Sequence, residues 1–329
     1  MKKVQWAILG CGNVTEVKSG PGFNKVPDSQ IVAVMRRNGE LAKDYAQRHG
    51  INKYYDDADK LINDPDVNAI YVATPPDTHA EYTIKAARAG KAVYVEKPMA
   101  RNYAECEKML AACDQANVPL FVAYYRRTLP DFLKIKQLID QGSIGDIRFV
   151  SIELFHPVKD DLDRENLPWR VVPEIAGGGY FFDLASHQLD YLDYILGPIE
   201  SATGTAANLA GDYPAEDTVS AQFKFESGIL GTGMWCFAVA PSAKTDRTQI
   251  VGTKGRIIFS SFDVTPVILE TENGTEQFEI PRPQHVQQPL IQTVVDDLLG
   301  KGSCPSTGAS AARTSKILDD ITSHGRVGP

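Results

Sequence analysis

Short apolar runs alternate with helix-length amphipathic stretches through the first 123 residues. The runs at 4–9, 31–35, 69–73, 92–95 and 119–123 read as strands, and the segments 39–50, 57–63, 80–89 and 104–116 carry helical apolar spacing. That alternation predicts βαβ units and a doubly wound parallel sheet. Beyond residue 123 the period changes. A helix over 131–141 leads into alternating apolar and polar positions at 147–154, 218–225, 228–237, 248–252, 256–260 and 267–271. Period two predicts a large, mostly antiparallel open sheet with one face covered. Two further helices follow at 290–299 and 309–321, divided by the breaker Cys304-Pro305-Ser306-Thr307-Gly308. The expected fold is α/β, with a nucleotide-type parallel domain over 1–123 and an α+β domain over 124–329.

Composition narrows this picture. A chain of 329 residues exceeds one ordinary core, in keeping with two domains. The net charge of −8 and the lack of a basic stripe exclude a nucleic-acid partner. No apolar run approaches the roughly 20 residues that span a bilayer, so no membrane partner is expected. The five cysteines are scattered and form no C-x-x-C pair, which fits reduced thiols in the cytoplasm. The opening Met1-Lys2-Lys3-Val4 runs directly into a strand, and no export signal is expected.

Candidate chemistry sits at the strand ends, where open α/β sheets bind ligands. Gly10-Cys11-Gly12-Asn13-Val14-Thr15 follows the first strand and reads as G-x-G-x-x-G with Thr15 in the last position. The glycines permit a tight turn and close approach to a pyrophosphate, backed by a helix N-terminus. The second strand ends in Arg36-Arg37-Asn38, where an NAD enzyme would place an acid. Two guanidinium groups and an amide suit a 2′-phosphate, which favours NADP over NAD. Thr74-Pro75-Pro76-Asp77-Thr78-His79 leaves the next strand as a stiff wall. His79 is either a ligand contact or an ordinary histidine of the first helical turn. The following strand delivers Glu96-Lys97-Pro98. Adjacent opposite charges at a buried strand end are expensive unless used or paired, and the alternative is a solvated surface turn.

A second constellation lies in the other domain. The run Gly177-Gly178-Gly179 leads into a largely apolar helix in which Asp183 and His187 stand four apart, continued by Asp190 and Tyr194. The pair is either a polar stripe facing a ligand or a helix cap with a satisfied core histidine. No third metal ligand accompanies it, so no metal site is expected.

Together these motifs resemble the Gfo/Idh/MocA family of oxidoreductases. The resemblance rests on Gly10-Cys11-Gly12-Asn13, on the segment 74–79, on Glu96-Lys97-Pro98 and on Asp183 with His187. Tyr125-Arg126-Arg127 and Pro168-Trp169-Arg170 extend it over essentially the whole chain. It implies a nicotinamide-binding Rossmann domain, then a domain that carries the substrate site and often an oligomer interface. By the resemblance, Lys97 is the catalytic lysine, Glu96 lies near the nicotinamide ribose, and Asp183 and His187 contact substrate and handle the proton. Tyr125 is a substrate contact, while Trp169 and Arg170 contact NADP.

The expected function is NADP-dependent hydride transfer between nicotinamide and the hydroxyl or carbonyl carbon of a sugar, cyclitol or related polyol. The expected state is a homodimer or homotetramer. Two rivals are a redox-neutral, NAD-using glycoside hydrolase of the same fold and a non-catalytic nucleotide or sugar sensor. Substrate identity depends on loops such as 155–163 and 205–215, which the sequence does not place.

Overall fold

The computed structural model describes residues 2–158, 162–323 and 326–327. It divides into two compact units, Met1–Leu129 with Pro283–Ala312, and Pro130–Arg282 with Arg313–Pro329.

In the first unit β1 (Val4–Leu9), α1 (Asn13–Val17), α2 (Gly20–Lys25), β2 (Ser29–Met35), α3 (Gly39–Arg48), β3 (Lys53–Tyr55) and α4 (Ala58–Ile62) follow one another. They are succeeded by β4 (Ala69–Val72), α5 (His79–Arg88), β5 (Ala92–Val95), α6 (Tyr103–Ala116) and β6 (Leu120–Val122). The six strands pair in parallel in the order β3-β2-β1-β4-β5-β6. The order reverses between β1 and β4, which places the ligand crevice of such sheets at the turn after β1. Strands β4 and β5 are buried throughout, as their unbroken apolar runs require. Polar residues set the helix starts: the Asn38 side chain caps α3, Asp57 caps α4 and Asn102 caps α6.

The second unit begins with α7 (Pro130–Asp140) and β7 (Ile147–Phe155), then the short α8 (Pro173–Ala176) and α9 (Ser186–Leu196). Strands β8 (Ile199–Ala207), β9 (Thr218–Phe225), β10 (Leu230–Cys236), β11 (Thr245–Gly252), β12 (Gly255–Phe259), β13 (Val267–Thr271) and β14 (Gly274–Phe278) complete most of its sheet. The chain then forms α10 (Gln288–Leu298), α11 (Gly308–Ser323) and a two-residue β15 (Arg326–Val327). The sheet order is β14-β13-β12-β11-β7-β10-β9-β8-β15, with only the β7–β10 and β8–β15 pairs parallel. Alternation is strict in β9, where Val219, Ala221, Phe223 and Phe225 face the core. The other face leaves Phe149, Leu230 and Met234 exposed on neighbouring strands.

The α/β architecture expected from the pattern is the one observed. Strands β3, β8, β14 and β15 are additional to it: β3 and β15 are only three and two residues long, and Ser, Thr, Ala, Glu and Gln weaken the alternation of β8 and β14. The single boundary at 123/124 needs correction. Helix α10 buries Leu290, Ile291, Val294 and Val295 in the core formed by Val4, Trp6, Phe23 and Tyr94 of the first unit. An amphipathic stripe shows that a helix packs without naming what it packs against. The loop 155–163 lies partly outside the described residues.

Candidate active site

At the end of β1 the backbone turns with Gly10 at φ +97°, and the Gly10 amide bonds the Met35 carbonyl at 2.9 Å. A Cβ on Gly10 would stand 2.7 Å from Thr74 Cγ2, so only glycine fits this turn. A Cβ on Gly12 would meet only the Gly10 oxygen, at 3.9 Å, leaving open space for a ligand. Thr15 explains its place in the third fingerprint position. Its hydroxyl donates to the Gly12 carbonyl at 2.8 Å and accepts the Gly12 amide at 3.1 Å, tying the first turn of α1 to the glycine turn. The helix behind the turn has only five residues, Asn13 to Val17, because Ser19-Gly20-Pro21 starts a second one. A bound pyrophosphate would therefore rest on the turn itself more than on a long helix dipole.

Arg36 and Arg37 follow β2 directly, and their charges act on different neighbours. The Cys11 thiol is pushed up to about 11 by burial, opposed first by the charge of Arg36. Arg37 instead acts on Tyr82 of α5. The Asn38 side-chain oxygen is taken by the Leu41 amide at 3.1 Å. Of the three groups, Arg36 is the one whose charge is felt at Cys11 of the fingerprint turn.

Thr74 and Pro75 are half-buried at the end of β4. His79 is fully buried, with Nε2 2.7 Å from the Thr74 carbonyl oxygen and Nδ1 3.0 Å from that of Pro98. Burial holds its pKa below the ordinary value, against the pull of the Thr74 carbonyl and the Glu96 charge. Its sequence-based place among the cofactor contacts is corrected accordingly: with no exposed atom to offer, it joins the two loops that form the wall.

Lys97 is half-buried at the end of β5, and the Lys97–Pro98 peptide is cis. The Glu96 carboxylate turns inward and accepts from Tyr71 Oη at 2.5 Å and from Gln287 Nε2 at 2.6 Å. Tyr125 follows β6 in a short 3₁₀ turn, with the Arg126 guanidinium 5.2 Å from its ring centre. Burial raises the Tyr125 pKa, but Arg126, Lys97 and Lys18 together outweigh it and hold the phenol below its ordinary range. The positive field of Lys18, Lys97 and Arg126 suits an anionic cofactor or a developing oxyanion.

In the second unit Asp183 lies in a π-helical turn, Phe181–Ala185, that opens α9. Such turns are rare and cluster at functional positions. The side-chain pattern, which predicts an uninterrupted α-helix here, carries no mark of it. Asp183 Oδ2 accepts Arg170 Nε at 3.2 Å, and the same guanidinium lies 4.4 Å over the Trp169 ring. Trp169, Arg170 and Asp183 thus form one cluster. His187 is buried, with its ring edge-on to Phe262 at 6.1 Å. The Phe262 backbone is pinned by Asp246, which accepts the amides of Ser261, Phe262 and Asp263, and by Arg282, which donates to its carbonyl. The buried Asp190 and Asp193 of the same helix are met by Thr314 and Arg313 of α11. Among the described residues no group of three or more His, Cys, Asp or Glu could hold a metal ion. Nor is any helix of the described residues long and apolar enough to cross a membrane.

Sequence reasoning missed Tyr71, Gln287 and Phe262. Tyr71 and Tyr94 are paired in register on β4 and β5, and two phenols inside aliphatic strands require buried polar partners. Gln287 and Phe262 stand in loops and carry no such signal.

Comparison with known proteins identifies the family. Residues 4–124 match the oxidoreductase family with an NAD-binding Rossmann fold, and residues 132–258 match the GFO/IDH/MocA C-terminal domain. Oxidoreductase P35 of Formosa agariphila is 38% identical over 96% of this chain and 98% of its own. The 1,5-anhydro-D-fructose reductase of Ensifer adhaerens is 28% identical over 92% and 91%. The aldose-aldose oxidoreductase of Caulobacter crescentus, solved with glycerol, superposes with a TM-score of 0.84 at 25% identity, covering 96% of each chain. The chain belongs to the GFO/IDH/MocA family of oxidoreductases.

Proposed function

We propose that this GFO/IDH/MocA family member is an NADP-dependent oxidoreductase that transfers a hydride between nicotinamide and a hydroxyl or carbonyl carbon of a sugar, cyclitol or related polyol. The observation that carries the cofactor choice is Arg36, an exposed residue that directly follows β2, where an NAD enzyme would offer a carboxylate, and whose charge is felt at Cys11 of the glycine turn. Gly10, Gly12, Asn13 and Val14 would line the pyrophosphate, with Thr74, Pro75 and Glu96 beside the nicotinamide end. The nicotinamide supplies or accepts the hydride. On the first unit Lys97 is the proposed hydrogen-bond donor to oxygen as negative charge grows on it in the reducing direction; on the second unit His187 is the proposed proton donor. On the second unit Asp183 is the proposed hydroxyl anchor, with Arg170 and Trp169 fixing its direction; on the first unit Tyr125 is a proposed substrate contact. Relatives named 1,5-anhydro-D-fructose reductase and myo-inositol 2-dehydrogenase support the substrate class.

The reading extends to assembly and location. Phe149, Leu230 and Met234 on the open sheet face support a homodimer or homotetramer, which sedimentation at micromolar concentration tests. All five cysteines are free thiols, as a cytoplasmic protein would keep them.

The test is consumption of free NADPH with a panel of 1,5-anhydro-D-fructose, 3-keto-glucose and inosose. Steady turnover of more than one NADPH per subunit supports the reading and separates it from both a redox-neutral hydrolase and a sensor. No net turnover with any of the three overturns it.

A further inference from the structure

Three donors converge on the Glu96 carboxylate, and one of them comes from a residue nearly two hundred positions away. Tyr71 Oη and Gln287 Nε2 meet Oε1 at 2.5 and 2.6 Å, while the amide of Lys97 itself meets Oε2 at 3.2 Å. Tyr71, Tyr94, Glu96 and Gln287 are all buried. The Tyr94 hydroxyl donates to Gln287 Oε1 at 3.1 Å, which leaves the Gln287 nitrogen, and not its oxygen, to face Glu96. The backbone amide of Gln287 is held by the Lys18 carbonyl at 3.2 Å. Two residues upstream, His285 Nδ1 lies 2.7 Å from the Val17 carbonyl oxygen and Nε2 lies 2.6 Å from Lys25 Nζ. The segment is therefore anchored twice, once at His285 without touching Glu96, and once at Gln287 directly on it.

We propose that Gln287 is a positioning residue for Lys97, holding the Glu96 side chain and through it the backbone amide of residue 97 in the direction that turnover requires. The role rests on Lys97 taking part in the reaction as proposed above. Glu96 receives the amide of the residue next to it, so a Glu96 side chain released from Gln287 frees the peptide that aims the lysine. Small misplacements of a reacting group cost rate far more than they cost fold.

The test measures kcat with whichever sugar of the panel turns over fastest, and NADPH affinity by fluorescence, in the full-length protein. Gln287→Leu is expected to lower kcat by about tenfold to a hundredfold with NADPH Kd within about threefold of wild type. The control His285→Phe loosens the same segment away from Glu96, and its kcat is expected to stay within about threefold. Gln287→Glu supplies a chemical readout. At neutral pH it faces Glu96 with a second carboxylate, and at lower pH the pair takes up a proton that restores a donor. Its kcat relative to wild type is expected to climb as pH falls. Equal losses in Gln287→Leu and His285→Phe, or a flat Gln287→Glu ratio, would overturn the role. Should Gln287→Leu not fold, the Gln287→Glu ratio and a matching kcat loss in Tyr71→Phe decide the question. Lys97→Ala separates the two levels: if it retains turnover, the reading of Lys97 and this role fall together. If it abolishes turnover while the Gln287 variants do not, this role alone falls.

Discussion

The two ends of the proposed chemistry are built differently. Lys97 stands at the end of a four-residue strand buried throughout, beside a carboxylate with three donors and a histidine that bridges the Thr74 and Pro98 carbonyls. Asp183 stands in a π turn behind a glycine run, and accepts from Arg170, whose side chain is 44% exposed. A group that acts on every substrate in the same way gains from a fixed backbone. A group that reads which hydroxyl is present gains from a frame that sequence change can adjust without disturbing the hydride end. The fold separates the two tasks by placing them on different units.

Lys97→Ala makes the largest break in this contrast. It should lower kcat by about a thousandfold or more while NADPH Kd stays within about threefold, read by single-turnover kinetics and fluorescence titration. Asp183→Asn should act on the other side of the contrast. Substrate KM should rise by about tenfold with a smaller change in kcat, and Arg170→Ala should follow in the same direction. If Asp183→Asn depressed kcat as deeply as Lys97→Ala, the division of labour would be wrong. The field around Lys97 gives a finer measure. Tyr125 should titrate below an ordinary tyrosine in ultraviolet difference spectra, and Lys97→Met should move that titration upward.

The smallest effect concerns the frame around the glycine turn. The Arg48 guanidinium, with His49, holds Glu16 down to about 2 from an ordinary 4.5. A carboxylate depressed in this way adds stability above its unfolded pKa and loses it as pH falls through the folded value. Wild type should therefore lose stability between about pH 4.5 and 2 relative to Glu16→Gln, by no more than about 1 kcal/mol for so accessible a pair. Acid denaturation monitored by circular dichroism reads the difference.

Much of this was legible in the chain. Four-residue apolar runs such as Ala69–Val72 and Ala92–Val95 fall where strands fall, because burial on both sheet faces leaves no room for charged or strongly polar residues. Lys97, Asp183 and His187 stand out because charge inside apolar surroundings demands a reason. What escaped was set by tertiary context. Gln287 is one glutamine in a loop until α10 carries it beneath β5. The π turn at Phe181–Ala185 changes the hydrogen-bond offset without changing the pattern of side chains. Arg36 and Arg37 read as one feature in sequence, and their charges act on different neighbours, Cys11 and Tyr82.

The most direct test is a fluorescence titration of nucleotide-stripped protein with NADPH and with NADH, repeated on Arg36→Asp. The account predicts that wild type binds NADPH at least about tenfold more tightly and that Arg36→Asp erases or inverts that preference. A wild-type preference for NADH, or a preference for NADPH untouched by Arg36→Asp, would contradict the claim that Arg36 selects the cofactor of this oxidoreductase.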